Sequence, residues 1–369
     1  MWFGCLCYLD GGLSNLKLND SNRELRKGLR TEEEIMSSWN KTLKNPFVSI
    51  CCITYNHGEF IEDALNSFLM QETEFPFEII IHDDASTDNT QSIIRQYEEK
   101  YPSIIKTIFQ QENRYSKGIS VANYYIPHLR GIYVAHCEGD DYWTDRFKLK
   151  KQIEFLEDNP DYIACYHNVR VVDKYKQKLH GKMDNYPYKS DHTITFKDIE
   201  QVVLPGQTAS VLYRNHWLIE SRENIDLFLN CKVNGDVKLA VMLGVKGKIF
   251  FMSDVMADHR RVIGEGDSWT AKNYGKNLSQ YYYEAVLNIN DFIYKAYGIK
   301  LKNDKKRRQV VVGAIYYSLK SRNRQDWRIA RTLIGQEKGE RTRLFFHFIL
   351  HTLKWPYRKI QQRCKRVWQ

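Results

Sequence analysis

The sequence predicts an α/β domain built on a mainly parallel sheet, and three observations carry that prediction. Short apolar runs rich in β-branched residues alternate with segments whose apolar residues recur at helical spacing. Polar, turn-rich clusters follow the first, second and fourth of those runs. Charge is unevenly spread: from Lys300 to Gln369 there are 20 Lys and Arg against 4 Asp and Glu, a net of +16, which leaves −6 on the residues before them. An α/β body with a basic, helical C-terminal extension follows.

The elements can be justified in order. Residues 1–45 are a polar lead-in, within which Thr31 to Trp39 predicts a short helix, with Thr31 as cap and acids in the first turn. Val48 to Thr54 is a buried strand, and Tyr55-Asn-His-Gly58 is the turn after it. Phe60, Ile61, Ala64, Leu65, Phe68 and Leu69 mark a helix. Phe77 to His82 is a second strand, Asp83 to Thr90 a polar turn, and Ile93, Ile94 and Tyr97 lie on a helix that Pro102 breaks. Ile104 to Phe109 and Ile132 to Cys137 are the third and fourth strands. Leu149 to Leu156 predicts a helix and Tyr162 to Val172 a strand, with a polar stretch over 173–200. Thr208 to Tyr213 reads as a strand, Asp236 to Val245 as a helix, and Lys248 to Met252 as a strand. From about residue 275 onward the chain reads as helical, basic and aromatic.

Composition narrows the setting. The 8 cysteines include no CxxC pair and no Cys/His zinc spacing, so reduced thiols in a cytosolic protein are expected. The N-terminus has neither the charged region nor the apolar core of a signal peptide, and no run of about 18 apolar residues predicts a membrane-spanning helix.

In such sheets ligands sit at the carboxyl ends of strands. The clusters Thr54-Tyr-Asn-His-Gly58, His82-Asp-Asp-Ala-Ser-Thr-Asp-Asn-Thr90 and Glu138-Gly-Asp-Asp-Tyr-Trp143 should therefore meet at one edge. Glu138, Asp140 and Asp141 are like charges whose crowding needs an offset, and a hard divalent cation would supply it. On this segment alone, a cation site and an acidic surface turn weigh evenly.

The stretches VSICCITYNHGEFIEDALNSFLMQ, FEIIIHDDASTDNT and GIYVAHCEGDDYWTDRFKLKKQIEFL together resemble the inverting family 2 glycosyltransferases of GT-A fold. The resemblance is strongest to bacterial members that build O-antigens and capsules, and it runs from about Pro46 to about Trp269. It implies a catalytic domain over 46–270, with a nucleotide-binding half at 46–145 and an acceptor half at 146–270, followed by a helical region at 271–369. Thr54 and Tyr55 would line the nucleotide pocket. Asp84, with Asp83 beside it, would contact the donor base. Glu138-Gly-Asp140 stands at the DxD position, with Glu138 toward the nucleotide and Asp140 as principal ligand of a Mg²⁺ or Mn²⁺ ion. Asp141 would shape the sugar pocket. Asp236, in Asn234-Gly-Asp236, would be the catalytic base. His259, Arg260 and Arg261 are candidates for diphosphate contact, although relatives place this basic cluster differently.

Plainer roles compete with several of these. Ser86 and Asp88 are better read as caps of the following helix, His57 as a turn residue, His82 as hydrogen-bonded structure, and Cys51 and Cys52 as small apolar strand residues. Tyr142 and Trp143 either pack in the core or contact the sugar, and Gly206 to Ser210 would face the acceptor. The basic tail, with Lys305 to Arg308, Leu344 to Leu350 and Lys354 to Lys359, suits an anionic membrane surface ahead of a solvated helical face; no nucleic-acid partner is expected. The expected protein is a cytoplasmic enzyme, peripheral on the inner face of the plasma membrane. It moves a sugar from a nucleotide-sugar, a UDP-sugar first, to a glycan or glycolipid acceptor. A nucleotidyltransferase would need a glycine- and base-rich phosphate loop that TYNHGEF does not provide. A catalytically inactive glycan-binding or scaffold protein is the non-enzymatic alternative.

Overall fold

In the computed structural model, residues 29–179, 188–262, 273 and 276–337 are described. The lead-in contributes helix α1 (Glu32–Ser37). Its capping box forms as expected: the Thr31 hydroxyl accepts from the Glu34 amide at 3.2 Å, and the Glu34 carboxylate accepts from the Thr31 amide at 2.7 Å. Ile35 then enters the core under the sheet.

The first half alternates strictly: β1 (Val48–Thr54), α2 (Ile61–Leu69), β2 (Phe77–Asp83), α3 (Thr90–Lys100), β3 (Ile105–Phe109), the short α4 (Ala122–Tyr125) and β4 (Tyr133–His136). β1 and β2 are buried along almost their whole length because helices cover both faces, which explains their apolar character on both faces. The second half holds β5 (Tyr142–Trp143), α5 (Lys148–Asp158), β6 (Tyr162–Val172), β7 (His192–Ile194), α6 (Phe196–Ile199), β8 (Leu212–Arg214), α7 (Arg222–Asn230), α8 (Gly235–Lys246) and β9 (Lys248–Arg260). The strands form one nine-stranded sheet in the order β3-β2-β1-β4-β8-β6-β9-β5, with β7 on β9. β3, β2, β1 and β4 run parallel, β8 is antiparallel to both its neighbours, and β6 and β9 are parallel.

Two elements differ from expectation. Residues 208–210 form a 3₁₀ turn, and the strand begins only at Leu212. The strand expected to end at Met252 continues to Arg260. Its polar second half gave no strand signal, yet it pairs with β6 as far as Val172 and with β5 across Tyr142↔Asp258. Tertiary pairing overrides local propensity there.

The helical C-terminal layer is present as α9 (Ser279–Tyr297), α10 (Asp304–Ser321) and α11 (Arg324–Gln336). Ile289, Phe292 and Ile293 of α9 join the core of the sheet's second half. Tyr283, Val311, Ala314, Ala330 and Leu333 form a small separate cluster among the three helices. Leu344 to Leu350 and Lys354 to Lys359 lie outside the described residues. No described helix is long and apolar enough to cross a membrane. The five described cysteines are all free thiols. Burial pushes Cys51 and Cys52 far above the usual thiol range, which fits their reading as apolar strand residues.

Candidate functional site

β1, β2 and β4 are parallel, so their C-terminal ends and the loops after them share one edge of the sheet. The first two loops are knitted together. Ser86 Oγ accepts from the Asn56 amide at 2.8 Å, Asn56 Oδ1 accepts from the Thr87 amide at 2.8 Å, and Asp88 Oδ2 accepts from the Gly58 amide at 2.9 Å. Asp88 also caps α3, its Oδ1 accepting from the Thr90 amide at 3.0 Å. Gly58 is required by this approach, since a Cβ would lie 1.8 Å from Asn89 Oδ1. Asn56 and Ala85 both hold positive φ, so backbone strain concentrates in these loops.

The third loop is the acidic turn. It continues the β1 ladder: the Cys137 and Gly139 amides donate to Cys51 and Ile53 carbonyls at 3.1 and 2.9 Å. The Asp141 amide closes the turn onto the Glu138 carbonyl at 3.1 Å. Thr54 lies buried beneath it, its Oγ1 only 2.7 Å from where a Cβ on Gly139 would stand. Thr54 thus supports the acidic turn from below, and its hydroxyl does not face a ligand-accessible surface as the sequence suggested. Tyr55 follows at the edge, half-buried.

The polar end of β9 answers the crowding of carboxylates. The Arg260 amide donates to Asp141 Oδ1 at 2.7 Å, and His259 Nδ1 lies 3.1 Å from Asp141 Oδ2. The Arg260 guanidinium donates to the Asp140 carbonyl and, at 2.7 Å, to Asp63 Oδ2 on α2. One residue earlier, buried Asp258 accepts from Tyr142 Oη at 2.6 Å and from Arg170 Nε at 2.8 Å. Gln207 Nε2 reaches His259 Nδ1 at 2.9 Å, so the 206–210 turn borders the site.

These positive groups offset only part of the charge. Burial lowers the affinity of His259 for a proton, but the Asp141 carboxylate outweighs it and raises the imidazole above its ordinary value. Burial raises Asp141, and His259 pulls it back. Glu138 is pushed well above the carboxylate range by burial and then by Asp140, Asp141 and Asp236. Asp236, in the first turn of α8, is raised by burial against the hydrogen bond it accepts from the Val237 amide at 2.8 Å. The fold therefore brings Glu138, Asp140, Asp141 and Asp236 into one electrostatic cluster.

The donor set suits a hard cation of the Mg²⁺ or Mn²⁺ kind. Asp141 is spent on His259 and Arg260, whereas the Glu138 and Asp140 carboxylates accept no hydrogen bond from the described residues. No three His, Cys, Asp or Glu side chains among the described residues form a complete cage. A cation that takes one or two carboxylates and fills its shell with water and phosphate oxygens needs no such cage.

Several expectations are corrected. Trp143 is not a sugar contact: it is fully buried against Phe68, its indole donates to the Ala209 carbonyl at 2.8 Å, and Lys148 Nζ sits 4.1 Å over its ring. Arg260 is buried and committed to Asp63 and Asp140, so it clamps the acidic turn and does not reach toward a diphosphate. Asp83 is buried and accepts from the Ser86 amide at 2.9 Å and Gln91 Nε2 at 2.6 Å. Asp84 is buried and accepts from the amides of Arg114 and Tyr115 at 2.9 and 3.0 Å. Both carboxylates are buried and brace the loops that hold them. Arg261 follows the strand, its amide bonded to the Val172 carbonyl at 2.8 Å, and its buried Nε has no partner among the described residues.

The sequence read His57 only as a turn residue, yet its Nε2 lies 3.8 Å from Asp140 Oδ2. Tyr281 Oη on α9 donates to Asn234 Oδ1 at 2.6 Å, two residues before Asp236, and nothing local in the sequence announces that.

Residues 49–219 match the family model for glycosyl transferase family 2. An uncharacterized protein of Mycobacterium tuberculosis is 37% identical over 58% of this chain and 58% of its own length. The chain spans little more than half the length of such relatives. The UDP-Glc:alpha-D-GlcNAc-diphosphoundecaprenol beta-1,3-glucosyltransferase WfaP of Escherichia coli is 38% identical over 30% of this chain and 41% of its own. The crystal structure of residues 1–349 of TarS from S. aureus, in complex with UDP-GlcNAc, superimposes with a TM-score of 0.51 at 20% identity, covering 72% of this chain and 70% of that one. That likeness concerns the fold.

Proposed function

We propose, for a chain whose residues 49–219 match the family model for glycosyl transferase family 2, that it is an inverting glycosyltransferase of that family. It moves a sugar from a UDP-sugar to a hydroxyl of a growing, lipid-linked surface polysaccharide. The observation that carries this reading is the acidic turn at the carboxyl end of β4, held on the β1 ladder, whose Glu138 and Asp140 carboxylates accept no hydrogen bond from the described residues. The WfaP name supports the donor and acceptor classes, since it specifies a UDP-sugar and a diphosphoundecaprenol-linked glycan for that relative.

The chemistry follows from the residue types. A hydroxyl is a poor nucleophile with its proton in place, and a carboxylate with a raised pKa is the better base. Asp236 takes the acceptor proton as the hydroxyl oxygen bonds to the anomeric carbon. The bond from that carbon to the diphosphate breaks on the opposite face, and its electron pair leaves with the nucleoside diphosphate. Glu138 and Asp140 would hold the cation, which supplies Lewis-acid stabilisation of the departing diphosphate. Arg261, with an unpartnered buried Nε, is the remaining basic candidate for phosphate contact. Inversion needs only one base, unlike the paired carboxylates of a glycosidase.

The test is thermal shift with UDP, with and without Mn²⁺, on the wild type and Asp140→Ala. Metal-dependent stabilisation of the wild type, lost in the variant, is the expected result. Equal stabilisation of both proteins, or of neither, would overturn the donor site.

The basic layer fits the same reading. Arg324, Trp327, Arg328 and Arg331 fall on one face of α11, and all four are exposed, Trp327 by 44%. Cations around an interfacial aromatic suit an anionic bilayer surface. The protein is expected to sediment with phosphatidylglycerol vesicles and not with phosphatidylcholine vesicles. Changing the three arginines to Gln and Trp327 to Ser should abolish the difference; retained binding would refute this face as the docking surface.

A further inference from the structure

A buried lysine stands two residues after the candidate base, and the transfer chemistry does not use it. Lys238 lies near the start of α8, the helix that carries Asp236, and is only 3% exposed. Among the described residues its ammonium has three acceptors, all uncharged: the Phe228 carbonyl at 2.9 Å, the Cys231 carbonyl at 3.4 Å and Ser120 Oγ at 3.5 Å. Burial lowers its pKa from 10.5 to about 8, so the charge is still present at neutral pH. Burying a cation against neutral acceptors is costly, and an apolar side chain of the same length would pack there at less cost.

The acceptors indicate what the charge does. Phe228 and Cys231 stand at the end of α7, where the last carbonyls carry the negative pole of the helix and draw a cation. That end is itself fixed: the Phe228 ring is buried against Trp217 and Phe292, and the ammonium sits 4.4 Å from its centroid. Ser120 belongs to the loop after β3, whose Arg114 and Tyr115 amides are held by Asp84. The start of α8 lacks the usual side-chain cap, since Asn234 Oδ1 accepts from Tyr281 Oη at 2.6 Å and not from an α8 amide. The hydrogen bond that Asp236 accepts from the Val237 amide lies within its own turn, so it does not tie the carboxylate to anything beyond α8.

We propose that Lys238 is the positioning residue of the candidate base: it pins the start of α8 to the end of α7 and to the loop after β3, and so sets where the Asp236 carboxylate stands. This rests on the glycosyl-transfer reading and adds to it the residue that aims the base. The requirement is strict, because a misplacement of about 1 Å in a reacting group can cost about a hundredfold in rate.

The experiment joins hydrogen–deuterium exchange to steady-state hydrolysis of UDP-sugars, on the full chain with Mn²⁺. Water takes the acceptor's place in that hydrolysis: it bonds to the anomeric carbon, gives its proton to Asp236, and UDP departs with the electron pair of the broken bond. Lys238→Met keeps the length of the side chain and removes its donors. It should speed amide exchange over residues 231–240 at least tenfold and leave 48–69 within twofold of wild type. Its kcat for UDP-glucose should fall at least tenfold, with KM and the metal-dependent stabilisation by UDP unchanged. Lys238→Gln, which keeps one donor of shorter reach, should fall between the two and carries the test if the methionine variant does not fold. Exchange over 231–240 within twofold of wild type in both variants overturns the proposal. So does local loosening with kcat within twofold of wild type, and so does a rise in exchange that extends to 48–69 or abolishes the UDP effect, which would make Lys238 a prop of the whole fold. Local loosening in the variants, with no hydrolysis of UDP-glucose, UDP-galactose or UDP-N-acetylglucosamine by the wild type, would keep the tether and defeat the transfer reading instead.

Discussion

Asp236→Asn is expected to lower kcat for sugar transfer about a thousandfold, the usual worth of a positioned general base. Asparagine keeps the size of the side chain and can still meet the Val237 amide through its carbonyl, so the start of α8 should hold. What is lost is the capacity to accept a proton. The pH profile gives the sharper evidence. Burial holds the Asp236 carboxyl above its ordinary value of 3.8, so the wild-type rate should begin to fall at a higher pH than a solvent-exposed aspartate would give. That acid limb should disappear from the residual activity of the variant, while metal-dependent binding of UDP persists. A variant within tenfold of the wild-type rate would remove Asp236 from the role of base.

Lys148→Met is expected to stabilise the protein in mildly acidic solution and to lose that advantage in base. Lys148 is fully buried over Trp143, and among the described residues its only hydrogen-bond acceptor is Gln152 Oε1, at 2.8 Å. Burial pulls its pKa down from 10.5 to about 7. A cation whose folded-state pKa is lowered destabilises the folded state most below that value, and the cost fades as pH rises toward the unfolded pKa. The full gap corresponds to about 5 kcal/mol. Removing the ammonium leaves Gln152 Oε1 unpaired, which costs about 1–3 kcal/mol. The net gain should be about 2–4 kcal/mol near pH 6.5 and should vanish by about pH 9.5. Denaturant unfolding at the two pH values checks it. A gain that does not shrink with pH would show that the lysine is not the titrating group.

Much of this architecture was legible along the chain. The strands β1, β2 and β6 stood out because they are rich in apolar and β-branched residues and largely buried. The capping box of α1 is a local pattern, and it formed. The acidic turn was visible because three carboxylates in four residues need an explanation wherever they occur. The end of β9 was not legible. Ser253, Asp254 and Asp258 look like loop residues, and only pairing with β6 and β5 turns them into a strand.

The sequence by itself determined the fold class, the edge of the sheet where the polar loops meet, and the residue types available for metal and base chemistry. Strand periodicity and strand-end chemistry are local properties, and a chain displays them without being folded. Only the tertiary structure decided which charges remain unpaired. It spent Asp83 and Asp84 on loop amides, sealed Trp143 and Arg260 inside, brought His57 to Asp140 and tied Tyr281 to Asn234. Whether a carboxylate is a brace or a ligand depends on which donors fold against it, and those donors lie 119 residues away along the chain for Asp141 and 197 for Asp63.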